Sequence, residues 1–144
     1  HGRVNKLGVP SFVFSREEFI AGVPILEKLA EYDVCLIVLA GFMNKISDVI
    51  LQAFPGKIVN IHPALLPKYG GKGMYGMHVH EAVVKAGERE SGITIHYINE
   101  HYDEGAIIFQ ASCPVLPSDT PEEVASKVHA LEYAHYPHVI ESLL

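Results

Sequence analysis

Two polar side chains, Asn60 and His62, stand two residues apart in the mostly apolar stretch 57–69. Residues 58–61 are typical of a short β-strand, and the proline-punctuated residues that follow are typical of a loop. Because side chains alternate along a strand, an amide and an imidazole at this spacing lie on one face of a sheet. An amide N–H and a protonated ring N–H could both donate to one developing oxyanion. The structural alternative is an asparagine that begins a turn and a histidine that satisfies a backbone carbonyl.

A carboxylate, Asp103, lies in a polar loop between two predicted strands, 92–98 and 106–113. The short connection predicts that these strands form an antiparallel hairpin. If the hairpin lies beside the strand that carries His62, Asp103 reaches the imidazole and favours its cationic form. A solvated turn aspartate is the alternative.

The elements that must position these residues alternate between strands and helices. The strand predicted at 33–39 is apolar on both faces from residue 34 onward, which is typical of a buried parallel strand. The predicted order is a strand at 11–14, a helix at 16–31, this strand, a helix at 46–54, a strand at 57–61, a loop to residue 77, a helix at 79–85, the hairpin and a C-terminal helix from residue 121. This order predicts an α/β fold with a three-layer, mostly parallel, Rossmann-like sheet and an antiparallel C-terminal hairpin.

Length and composition are those of one ordinary globular domain, 1–144, with 49% hydrophobic and 19% charged residues. The net charge of −6 and the absence of any Lys/Arg run argue against a nucleic-acid partner. Cys35 and Cys113 do not suggest a disulfide framework, so a reducing, cytoplasmic compartment is expected. No apolar run approaches the length of a membrane span, and no membrane partner is expected.

Nine histidines raise the question of a metal site, and the first residues raise the question of a missing segment. No HExxH motif and no finger-type Cys/His spacing is present, so no metal is expected. The chain opens on His1 rather than Met, and residues 6–10 are typical of a helix end. We therefore expect a preceding βα unit of about 30 residues or more. If the ligand carries a phosphate, its binding loop would belong to the first βα turn of that unit.

Taken together, the motifs resemble the formyltransferase-fold family. The matching stretches are Asn-Ile-His-Pro-Ala-Leu-Leu-Pro-Lys-Tyr at 60–69, His-Tyr at 96–97, Asp-Glu-Gly-Ala-Ile-Ile-Phe-Gln at 103–110, Ala-Gly-Phe-Met at 40–43 and Glu-Tyr-Ala-His-Tyr-Pro at 132–137. The resemblance covers essentially the whole chain, starting inside the family's first helix. The Leu-Leu-Pro-Lys-Tyr and Glu-x-x-x-Tyr-Pro segments favour the branch of the family that acts on glycinamide.

The resemblance implies transfer of a formyl group from 10-formyltetrahydrofolate, as co-substrate, to the amine of 5′-phosphoribosylglycinamide in de novo purine biosynthesis. The matching family residues make Asn60, His62 and Asp103 the catalytic set. Asn60 would donate to the formyl oxygen, and His62 would stabilise the oxyanion and donate a proton. Asp103 would keep His62 protonated and help a water move the amine proton. The implied partners are the two small-molecule substrates, and the protein is expected to be a monomer or homodimer.

Two sets of binding residues also follow from the resemblance. His129 and Glu132, three apart on the last helix, match positions near the ribose of the glycinamide substrate. Asn44 stands where family members often carry Arg, a change that backbone contacts would survive. The residues that match folate-binding positions are Arg16, Met43, Asn44, Lys45, Ile46, Asn60, Ile98, Asn99 and Glu100.

Three other functions are alternatives to formyl transfer to glycinamide. A formyltetrahydrofolate deformylase would use the same three catalytic residues on water, and product analysis separates it from a transferase. A methionyl-tRNA formyltransferase would need a basic C-terminal domain, which the net charge of −6 disfavours. A non-catalytic binding module is disfavoured because Asn60, His62 and Asp103 are all retained.

Overall fold

The computed structural model describes residues 8–41, 45–71, 73–99 and 105–144. In chain order the elements are α1 (Arg16–Ala21), α2 (Val23–Glu31), β1 (Ile37–Leu39), α3 (Asp48–Ala53), β2 (Ile58–His62), α4 (Met77–Lys85), β3 (Glu90–Tyr97), β4 (Ile107–Pro114) and α5 (Pro121–Ser142). They fall into two compact units. The first contains α1, α2 and α3, and the second contains the four strands with α4 and α5. The single domain expected from the sequence stays a prediction.

In the first unit, the helix predicted at 16–31 is two helices. Ser15 accepts a hydrogen bond from the Glu18 N–H at 3.1 Å, and the Glu18 carboxylate accepts the Ser15 N–H at 3.0 Å, which starts α1. Gly22 ends α1 in the left-handed region, with φ 77°, and a Cβ there would overlap the Ser47 hydroxyl oxygen. Pro24 lies in the first turn of α2, where no intrahelical bond needs its missing N–H.

The strand predicted at 11–14 is wrong. These residues form no strand, and within the described part of the chain no strand pairs with them. Val13 is 73% exposed, while Phe12 packs on Tyr32 with ring centroids 5.5 Å apart and lies under the Lys28 ammonium. Four residues of strand-like composition adopt β structure only where a neighbouring strand satisfies their backbone groups.

The second unit contains one sheet in the order β1-β2-β3-β4. β1 runs parallel to β2, while β2–β3 and β3–β4 are antiparallel. The predicted α/β fold with an antiparallel C-terminal hairpin is confirmed. Among the described strands, antiparallel pairing reaches one strand further than expected, to β2, so the sheet is mixed.

β1 is shorter and less buried than the apolar sequence 33–39 indicates. Only Ile37–Leu39 is strand, and Val38 is 38% exposed. Among the strands described, β1 pairs with β2 alone and lies at the edge of the sheet, whereas a central position was expected.

The hydrophobic core lies between one face of the sheet and the helices α4 and α5. Its buried members are Ile61, Ala64, Val79, Val83, Ile93, Ile95, Val115, Val124, Val128 and Tyr136, which we call the core cluster. Because Ile61 and Ile95 point toward this cluster, alternation directs their neighbours Asn60 and His62 to the opposite face. In the described ranges, no helix combines the length and the apolar character needed to cross a membrane.

Candidate active site

The strand β2 is buried along its whole length, although it carries two polar side chains. Asn60 is 8% exposed and His62 is 4% exposed. In the register with β3, Asn60 lies opposite His96 and His62 lies opposite Thr94. Residues directly opposite in an antiparallel pair share a face, so these four side chains form a buried polar row. Asn60 and His62 therefore share one face of the sheet.

His62 is held by the loop that follows its own strand. Its Nε2–H donates to the backbone carbonyl oxygen of Tyr69 at 2.7 Å. A carbonyl oxygen only accepts, so Nε2 carries a proton whether the ring is neutral or charged. Nδ1 is the nitrogen left for other partners. His62 therefore does satisfy a backbone carbonyl, as the structural alternative proposed, but this bond uses only one of its two ring nitrogens.

Two side chains of the hairpin form hydrogen bonds to the backbone of the loop that follows β2. Thr94 Oγ1 donates to the Ala64 carbonyl at 2.7 Å and accepts the Leu66 N–H at 3.0 Å. Gln110 Nε2 donates to the Leu66 carbonyl and to Thr94 Oγ1, both at 3.0 Å. Sequence reasoning did not single out Thr94. The sequence did contain an indication of its role, because Thr94 is a polar residue that alternates with isoleucines in a predicted strand.

The side-chain amide of Asn60 is buried, and its oxygen makes no hydrogen bond to the described residues. Its Oδ1 atom is buried and has no hydrogen-bond partner within the described ranges. A buried polar atom in this condition carries a desolvation cost of about 1–3 kcal/mol unless something pairs with it. Because Oδ1 only accepts, a ligand group that donates a hydrogen bond at this face would supply that partner.

A second buried histidine, His80, lies on α4. It is 2% exposed, and burial lowers its pKa, with smaller contributions from the charges of His129 and His62. Its Nδ1 atom is buried and finds no partner in the part of the chain that is described. His80 was not among the predicted site residues. The sequence did contain an indication that His80 is buried, because it lies between Val79 and Val83 on the side of the helix that the apolar spacing predicts to be buried.

The two residues predicted near the ribose lie on α5. His129 Nδ1–H donates to Glu132 Oε2 at 3.4 Å. The His129 side chain is 59% exposed and that of Glu132 is 27% exposed, so both are accessible to solvent. The charge of His129 contributes, after burial, to the lowered pKa of His80.

The remaining predicted residues are only partly described. Lys45 is exposed, and Asn99 is exposed just beyond the end of β3. Ile98 is 7% exposed, and its N–H donates to the Ile58 carbonyl at 2.9 Å. Arg16 and Ile46 belong to the first unit, where Arg16 is exposed at the start of α1 and the Ile46 side chain is 4% exposed.

Four predicted site residues lie outside the described residues: Met43, Asn44, Glu100 and Asp103. The approach of Asp103 to His62 therefore stays a prediction. In residues 8–41, 45–71, 73–99 and 105–144, no three His, Cys, Asp or Glu side chains are grouped so as to hold a metal ion.

The fold and the buried Asn-x-His strand correspond to a known class of protein. The sequence profile described as "Formyl transferase" matches residues 2–140, and the chain therefore belongs to the formyl transferase family. The resemblance drawn from the motifs is confirmed.

The relatives within this family are more specific. The chain is 42% identical over 141 residues to "Phosphoribosylglycinamide formyltransferase, chloroplastic" of Arabidopsis thaliana, covering 94% of this chain and 48% of the relative. It is 39% identical over 146 residues to "Phosphoribosylglycinamide formyltransferase" of Bacillus subtilis (strain 168), covering 99% of this chain and 72% of the relative. The chain thus spans about half the length of the Arabidopsis relative.

A solved structure agrees with both the fold and the family. The phosphoribosylglycinamide formyltransferase from Streptococcus pneumoniae TIGR4 superposes with a TM-score of 0.89 at 36% identity, covering 99% of this chain and 78% of that chain. The predicted formyltransferase fold is confirmed.

Proposed function

We propose that the protein transfers the formyl group of 10-formyltetrahydrofolate to the amine of 5′-phosphoribosylglycinamide, as a step of de novo purine biosynthesis. The observation that carries the proposal is the Asn60–His62 pair, buried on one face of β2. Asn60 Oδ1 has no partner among the described residues, and the Tyr69 carbonyl leaves Nδ1 of His62 for the reaction. The names of the Arabidopsis and Bacillus relatives support the same activity.

Formyl transfer requires the protein to position the glycinamide amine, stabilise the oxyanion and move protons. The glycinamide amine attacks the formyl carbon, and the carbonyl oxygen becomes an oxyanion. The Asn60 amide N–H and the protonated ring of His62 donate to that oxygen. As the tetrahedral intermediate collapses, the C–N10 bond breaks and His62 gives a proton to the departing nitrogen. Asp103 keeps His62 protonated and accepts the amine proton through a water.

The two substrates are proposed to contact separate sets of residues. His129 and Glu132 bind the glycinamide ribotide, because an imidazole and a carboxylate on an accessible helix face suit sugar hydroxyls. The folate is proposed to contact Asn60 and the residues Arg16, Met43, Asn44, Lys45, Ile46, Ile98, Asn99 and Glu100.

We further propose that these small molecules are the protein's partners and that it acts in the cytoplasm as a monomer or homodimer. Cys35 and Cys113 are free thiols, which agrees with a reducing compartment. The net charge of −6 supports a role without nucleic acid.

The test is a turnover assay with the purified protein and 10-formyltetrahydrofolate, with and without the glycinamide ribotide, following tetrahydrofolate by absorbance. The transferase requires the ribotide for turnover. Formate release without it would identify a deformylase instead, an alternative that the transferase names of the relatives disfavour. A His62→Ala protein is expected to lose turnover, and unchanged turnover would remove His62 from the catalytic set. A wild-type protein that binds the folate without turnover would be a binding module.

A further inference from the structure

We propose that Tyr69 is a positioning residue for His62, and that it selects Nδ1 as the ring nitrogen that serves the reaction. The proposal deepens the proposed function, on which its kinetic test rests. It begins from the bond between His62 Nε2–H and the Tyr69 carbonyl oxygen, at 2.7 Å. A ring nitrogen committed to a backbone carbonyl cannot also give its proton to a substrate, so Nδ1 must do so.

The direction of this carbonyl depends on an unusual backbone conformation. Tyr69 has φ 57°, in the left-handed region that residues other than glycine seldom occupy. Such conformations persist where surrounding contacts hold them, and they are concentrated at functional sites. At this residue the backbone would relax toward negative φ if the side chain were released, and its carbonyl would turn away from His62.

The side chain of Tyr69 supplies the required contacts. Its hydroxyl donates to Glu88 Oε1 at 2.9 Å, and its ring packs against the core cluster. A cavity of about 250 Å³ adjoins this side chain, so packing alone does not enclose it. The hydrogen bond to Glu88 therefore fixes where the ring stands.

Glu88 is itself attached to the end of a helix. Its backbone N–H donates to the Val83 carbonyl of α4 at 3.3 Å. Its carboxylate also lies 3.6 Å from the Lys68 ammonium, an exposed group. A connected series of contacts thus runs from α4 through Glu88 and the Tyr69 ring to the Tyr69 carbonyl and His62. Second partners that set a histidine tautomer in this way are known to control the reactivity of the other nitrogen.

The first test is spectroscopic and needs no substrate. In the wild-type protein labelled with ¹⁵N, the neutral His62 ring is expected to be the Nε2–H tautomer, with a proton protected from solvent exchange. In Tyr69→Phe the hydroxyl is lost, so the protection falls and the Nδ1–H tautomer appears. The matched control is Glu90→Gln, which removes a carboxylate that lines the same cavity and leaves the Tyr69 hydroxyl bond in place. An unchanged His62 signal in Tyr69→Phe overturns the proposal.

The second test uses turnover and a conservative rescue. Tyr69→Phe is expected to lower kcat roughly tenfold or more while KM for both substrates changes by less than about twofold. Glu88→Leu should reproduce this loss, whereas Glu88→Gln keeps an oxygen that accepts from the hydroxyl and should retain most of the activity. Equal losses in Glu88→Gln and Glu88→Leu would overturn the proposal, as would a lower kcat with an unaltered His62 signal.

The two tests separate this proposal from the function on which it rests. If the wild-type protein shows no formyl transfer, the proposed function is wrong. The tautomer of His62 and its response to Tyr69→Phe can still be measured in that case, and they decide whether Tyr69 positions His62. If Tyr69→Phe fails to fold, Glu88→Leu provides the same loss of the hydroxyl's partner, and its His62 signal decides instead.

Discussion

Gln110 Nε2 donates to Thr94 Oγ1 at 3.0 Å, and this pair joins the two strands of the hairpin to the loop that follows β2. Thr94 also contacts the backbone of Ala64 and Leu66, while Gln110 reaches the Leu66 carbonyl. The loop then returns to β2, where the Tyr69 carbonyl accepts the Nε2–H of His62. The candidate catalytic histidine is therefore positioned by the antiparallel half of the sheet as well as by its own strand.

Replacing Thr94 by valine tests this arrangement. Valine keeps the shape but removes the hydroxyl, leaving the Ala64 carbonyl and the Leu66 N–H without that partner. We expect the free energy of unfolding to fall by about 3 kcal/mol, since each buried group left unsatisfied costs about 1–3 kcal/mol. Urea denaturation measures the change. Thr94→Ser keeps the hydroxyl and should cost only about 1 kcal/mol for the lost methyl group, and equal losses in the two variants would contradict the role of the hydroxyl.

The element order and the shared face of Asn60 and His62 could be predicted because both depend on local patterns. Apolar runs, caps and alternation act over a few residues. The strand predicted at 11–14 failed because a strand also needs a neighbour, which sequence does not reveal. The Tyr69 carbonyl at His62 could not be foreseen either, since it depends on how a loop rich in Gly and Pro closes on its own strand.

Asn60→Asp tests the proposed oxyanion contact. The change is nearly isosteric, but it replaces an N–H donor by a carboxylate that repels a developing negative charge. We expect kcat to fall by about 10²–10³ or more, the usual cost of losing one such donor, with little change in KM. Steady-state kinetics with both substrates measures this. The exposed Gln52→Glu change on α3 adds the same charge outside the catalytic and binding residues and should leave kcat within about tenfold of wild type. A comparable kcat for Asn60→Asp and wild type would exclude Asn60 as the donor.

Tyr136→Phe tests a contact between α5 and β1. The Tyr136 hydroxyl donates to the Leu39 carbonyl at 2.6 Å, and burial, with a smaller effect of Glu132, raises the pKa of this phenol. The hydroxyl thus remains a donor, and its loss should lower the free energy of unfolding by about 1–2 kcal/mol. Thermal and urea unfolding provide the measurement. Tyr133→Phe, at a residue that is 80% exposed on the same helix, should change stability by less than about 0.5 kcal/mol. Similar effects of the two changes would argue against the bond.

His80 makes stability depend on pH. Burial lowers its folded-state pKa below the ordinary value of 6.5, with the charges of His129 and His62 acting in the same direction. As pH falls through 6.5 the unfolded chain takes up a proton that the folded chain still lacks, so stability is full above this pH and declines below it. His80→Gln should therefore flatten the dependence of the free energy of unfolding on pH between about pH 7 and about pH 5.

The exposed His138→Gln on α5 should leave the slope unchanged. Because the slope is compared and not the absolute stability, a general loss of packing in His80→Gln does not affect the result. An equally steep slope in this variant would mean that His80 is not held neutral by the fold.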